Sequence, residues 1–97
     1  MPTYIMLANY TKQGIENIKD SPTRLDAAKQ AAKSMGGAIK AFYLTMGQYD
    51  MVVVCEAPDD ETMAKLALAI GSQGAIRTET LRAFTEEEYR KIIAALP

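Results

Sequence analysis

The chain contains no histidine. A Ser-His-Asp or Cys-His arrangement within one chain is therefore excluded. So are histidine-ligated zinc, haem held by a proximal histidine, and the two-histidine facial triad of non-haem iron. Any chemistry must draw on Tyr, Asp, Glu, Lys, Arg or Cys, or on a bound cofactor. Cys55 is the only cysteine, so no intrachain disulfide can form. No apolar run approaches the length that spans a bilayer. The N-terminus lacks a charged segment followed by a long apolar stretch, which argues against a signal peptide, and cytoplasmic residence is the expectation. No cluster of Lys and Arg is interleaved with aromatics and the net charge is −1, so nothing points to nucleic acid as a partner.

What is present is a single domain of 97 residues with ordinary apolar and charged fractions. A chain of this size buries roughly 60–65% of the surface that its unfolded form exposes. Its core is therefore thin, and self-association would extend it.

Thr3 to Tyr10 ("TYIMLANY") reads as a first strand. Thr11 to Asp20 reads as a loop with about one helical turn, interrupted by Gly14. Ser21-Pro22 starts a helix, since Ser can cap free amides and Pro fits the first helical position. Leu25, Ala28, Ala32 and Met35 form its apolar stripe, and Gly36-Gly37 ends it. The many alanines predict close packing on a sheet. Ala38 to Thr45 is a second strand and Met51 to Glu56 ("MVVVCE") a third. The third is apolar on both faces, so both need covering, because a half-solvated strand would alternate. Asp59 caps the next helix, whose buried stripe is Met63, Leu66, Ala67 and Ile70. Ile76 to Phe84 is a fourth strand, whose Thr and charges suit an edge or a half-exposed face. Thr85 and Glu88 have capping-box spacing, and Tyr89, Ile92, Ile93 and Leu96 give the last helix an apolar face for docking.

The order β-α-β-β-α-β-α predicts an α+β, ferredoxin-like βαββαβ fold with a C-terminal helix. The expected product is a four-stranded antiparallel sheet with two helices on one face.

The stretches "YTKQGIENIKDSPTR", "GGAIKAFYLTMGQYDMVVVCEAPDDE" and "GAIRTETLRAFTEEE" together resemble the GYD domain family. The resemblance spans nearly the whole chain. It rests on the turn Gly47-Gln48-Tyr49-Asp50 together with Thr11, Gly14, Arg24, Gly36-Gly37, Pro58-Asp59-Asp60 and Arg77-Thr78-x-Thr80. It implies a dimeric α+β barrel, in which the sheets of two subunits pair face to face and supply the second cover that "MVVVC" needs. It implies no settled reaction. Related branches include monooxygenases without metal or flavin, isomerases, haem enzymes and ligand-sensing domains. Haem branches that use a proximal histidine do not fit a chain without one. The hairpin and strand also look like the amino-acid-sensing domain of AsnC-type regulators.

Within the turn, Gly47 can adopt positive φ and Asp50 can accept backbone hydrogen bonds, which makes a hairpin of fixed register. The functional alternative makes Tyr49 and Asp50 rim residues of a pocket at a subunit interface. Strand alternation places Tyr4, Met6 and Ala8 on one face, and Lys40, Phe42 and Leu44 on one face. On the fourth strand, Arg77, Glu79 and Leu81 oppose Thr78, Thr80 and Arg82. Lys40, Arg77 and Glu79, if inward, need pairing, either in a mutual salt bridge or by a cation holding an anionic ligand. Arg24 lies in the first turn of its helix, where the dipole disfavours a cation. It either bridges to Asp20 or Asp50 or binds an anionic group. Tyr43 and Tyr10 are strand aromatics or pocket walls. Cys55 reads as a buried inert thiol.

Asp59-Asp60 and the run from Glu86 to Glu88 read as helix starts, so no metal site is expected. Gly71-Ser72-Gln73-Gly74 follows a helix instead of opening one, so it is not a phosphate loop. No cofactor is expected. The leading expectation is a homo-oligomer, even-numbered, that binds a small organic molecule between sheets and helices. One alternative is a cofactor-independent monooxygenase- or isomerase-like enzyme with Tyr49, Asp50 and Tyr43 as acid–base candidates. Another is a structural adaptor.

Overall fold

The computed structural model describes residues 1–97. Its strands are β1 (Thr3–Tyr10), β2 (Ala38–Leu44), β3 (Met51–Glu56) and β4 (Ile76–Ala83). Its helices are α1 (Lys12–Glu16), α2 (Ser21–Ser34), α3 (Asp60–Gly71) and α4 (Glu86–Ala94). The sheet order is β2-β3-β1-β4, with every neighbouring pair antiparallel. This is the ferredoxin-like arrangement with an added C-terminal helix.

The two central strands carry the core. Tyr4, Met6 and Ala8 of β1 and Met51, Val53 and Cys55 of β3 point to the helix side and are buried. From above they meet Ala32 of α2 and Met63 and Leu66 of α3. Tyr4 also ties β1 to the start of α3, its hydroxyl donating to Asp60 Oδ1 at 2.5 Å. The opposite face has no cover within the chain. Ile5, Leu7, Val52 and Val54 lie there half-buried, beside exposed Leu81 and Tyr43. The doubly apolar third strand thus has helices on one side only.

Several local expectations are corrected. The segment after β1 is more helical than a loop with one turn: α1 is followed by a 3-10 turn, Ile18–Asp20, that runs directly into α2. Ser21 is consequently the first residue of α2 and not its cap. Its hydroxyl instead meets the Tyr10 hydroxyl at 2.9 Å. Gly14 sits so close to Ala75 that a Cβ would lie 2.0 Å from the Ala75 carbonyl oxygen. Lys40 does not share a face with Phe42 and Leu44. The register of β2 on β3 shifts between Ile39 and Ala41, leaving Lys40 as the extra, exposed residue of a bulge on an edge strand. Ile39 and Phe42 then face the helices, opposite Cys55 and Val53.

The helix ends follow their sequence signals. The Asp59 carboxylate accepts from Thr62 N at 2.8 Å. Thr85 and Glu88 form a reciprocal capping box at the start of α4. That helix does not dock on its own chain, however. Tyr89, Ile92, Ile93 and Leu96 all stay exposed.

Candidate functional site

The Gly47-Asp50 turn is held by backbone hydrogen bonds that leave little for catalysis. Gly47 has φ +127°, which a side chain would strain. Asp50 Oδ2 accepts from Tyr10 N at 2.9 Å. The amide of Asp50 donates to both Ala8 O and Asn9 Oδ1 at 3.0 Å. Thr45 closes the turn, its amide donating to Asp50 O and its hydroxyl to Tyr49 O. Asp50 is thus the fastener between the β2–β3 hairpin and the end of β1.

Tyr49 reaches across the open sheet face, and its hydroxyl donates to Glu79 Oε2 at 2.6 Å. That hydrogen bond, together with partial burial, pushes the phenol above its usual pKa. It is therefore a poor base at neutral pH. Tyr43 is exposed on β2 opposite Val52 and makes no hydrogen bond to Tyr49 or Asp50. The three acid–base candidates do not assemble into a unit. Glu79 finds its partner in Tyr49, while Arg77 and Lys40 are exposed and outside every ion pair. The mutual salt bridge expected of these charges is absent because the bulge turns Lys40 out and Tyr49 takes Glu79.

A second candidate site lies on the helix side, between helices and sheet, and it includes Arg24. A cavity of about 330 Å³ separates α2 and the end of α3 from the sheet. Its floor includes Met6, Met51 and Cys55, and its far wall Phe42. Ala28 and Ala31 line its roof. The alanine stripe was expected to bring α2 close to the sheet, but only Ala32 packs fully. Ala31 packs against the core only in part, and Ala28 is half-buried. Exposed Ala27 and Gln73 mark the mouth. The cavity is open to solvent at that mouth, and its apolar walls are poor hosts for water.

Arg24 stands in the wall of this cavity. Its Nη1 donates to Asn17 O at 3.2 Å, and its Nη2 is buried with no partner. Neither Asp20 nor Asp50 pairs with it, contrary to the bridging expectation. Asp50 is engaged at the turn, and a backbone carbonyl ahead of the 3-10 turn takes the guanidinium instead. Cys55, at the floor, has its thiol pushed from 9.0 up to about 11 by burial, so it is the inert thiol expected. No group of three or more Cys, Asp or Glu side chains converges as a metal site would require. Ser21 and Gln73 were not foreseen as site residues. The sequence signals for this cavity were the small residues on the inward stripe of α2 and the misplaced cation Arg24.

Sheet order, helix placement and the turn define a ferredoxin-like α+β domain. The chain belongs to the GYD domain family, whose pattern matches residues 4–93. It is 37% identical over 84 residues to the "Glutamine synthetase and cystathionine beta-lyase binding protein" of Thermus thermophilus, covering 86% of this chain and 88% of the relative. Its fold is similar to the crystal structure of TTHA0845, also from Thermus thermophilus, with TM-score 0.57 and 25% identity over 88% of this chain and 95% of that one. It is also similar to the leucine response regulatory protein of Mycobacterium tuberculosis, with TM-score 0.62 and 12% identity over 87% of this chain and 51% of that one. At that identity the likeness concerns the fold alone. No helix is long and apolar enough to cross a membrane.

Proposed function

We propose that the protein is a cytoplasmic, homo-oligomeric binding protein whose copies pair sheet to sheet and whose helix-side cavity takes a small organic molecule. The observation that carries the pairing is the open sheet face. Ile5, Leu7, Val52, Val54 and Leu81 form an apolar surface with nothing over it in a domain whose core is already thin. Undocked α4 continues from the β4 edge of that sheet and offers a second apolar stripe to the same partner. Binding is favoured over catalysis because the Tyr49 hydroxyl is taken by Glu79, the Asp50 carboxylate accepts from the Tyr10 amide, and Tyr43 stands apart from both. The test of pairing is Val54→Lys, which places a charge at the centre of the open face. The variant should keep wild-type circular dichroism and elute as a monomer. Wild-type elution volume in a folded Val54→Lys protein would contradict sheet pairing.

A second reading has the protein dock on metabolic enzymes, and the name of the Thermus relative favours it. Purified glutamine synthetase and cystathionine β-lyase, each mixed with the protein, would co-elute with it under this reading. Separate elution of both would remove it.

A further inference from the structure

We propose that the helix-side cavity selects a small monocarboxylate with an apolar body, and that Arg24 holds the carboxylate. The inference rests on the reading that this cavity binds a small molecule, and adds the chemical class. Arg24 is the only charged residue in the cavity wall, and no acidic side chain lines it. A cation taken out of water needs an anionic or strongly accepting partner. Here the chain supplies only the Asn17 carbonyl, on Nη1, and leaves the buried Nη2 free. The remaining N–H groups of the guanidinium suit a carboxylate. The nearby polar groups are few. The Ser21 hydroxyl is already engaged with Tyr10, and the Gln73 side chain makes no hydrogen bond. One guanidinium with so little support matches one negative charge better than the two of a phosphate monoester.

The rest of the wall is aliphatic, aromatic or sulfur-bearing, which calls for an apolar body. The volume is about twice that of the ~150 Å³ cavity that holds one benzene, so a ligand of roughly twelve non-hydrogen atoms fits. Decanoate and naphthoate have that bulk.

The experiment is calorimetric titration of the full chain with decanoate and naphthoate, and with the matching neutral amides. The acids should bind at least tenfold more tightly than the amides. Arg24→Gln should reduce the acids to parity with the amides. Ala31→Leu, which fills the roof, should weaken acids and amides alike. Equal binding of acid and amide to the wild-type protein would overturn the carboxylate assignment and leave the cavity reading standing. Absence of binding by all four compounds to folded protein would overturn both. The wild-type comparison of acid with amide decides the matter even if a variant fails to fold.

Discussion

Replacing Asp50 with alanine removes the acceptor of the Tyr10 amide at the end of β1. A part-buried donor is then left unpaired, which costs about 1–3 kcal/mol. Chemical denaturation of Asp50→Ala should show a loss in that range. An unchanged midpoint would mean the turn does not fasten the hairpin. A titration effect belongs at the same scale. Burial and the hydrogen bond to Asp60 raise Tyr4 from 10.0 to about 12, and burial raises Cys55 from 9.0 to about 11. The folded state holds both protons more tightly than the unfolded state does. Their contribution is therefore complete below pH ~9 and is lost as pH rises from there towards 12. Stability measured against pH should fall across that window, and Tyr4→Phe should remove the upper part of the fall. The sequence made the structural role of Asp50 legible, because a Gly and an Asp bracketing a short polar stretch specify a turn. Its partner Tyr10, 40 residues earlier, was not legible, since that contact depends on how β1 and the hairpin meet in space.

At the scale of elements, local signals were read most faithfully. The capping box, the Asp59 cap and the positions of the strands along the chain depend on neighbouring residues and short spacings. The bulge at Lys40 was hidden because alternation assumes an uninterrupted strand. The extent and lining of the cavity were hidden for a related reason. Alanines on an inward helix stripe are compatible with close approach or with a gap, and the packing of Ala32 and of α3 decides between them. Helix α4 gives the prediction at this scale. Ile93 is exposed in the single chain, so Ile93→Lys, a charge that suits the last turn of the helix, should change the stability of an isolated subunit by no more than about 0.5 kcal/mol. It should nevertheless weaken self-association, seen as a shift of the oligomer's dissociation to higher concentration in sedimentation. Unaltered association would mean that α4 serves some other contact.

The whole molecule is flat and long, with extents of 52 × 31 × 17 Å. Only 12 of its 97 residues are buried, because a single sheet with helices on one side has little interior. The shape explains why the chain leaves an apolar sheet face and an apolar helix stripe uncovered at once. A partner copy that covers both would add a second core layer. Folding and association would then be linked, and the melting temperature should rise with protein concentration. The most direct measurement is native mass spectrometry of the protein as purified. Pairing through the open face predicts twice the 10.6 kDa chain mass, or a higher even multiple. A monomer at every concentration tested would contradict the account, because the bare face of β3 would then have no partner.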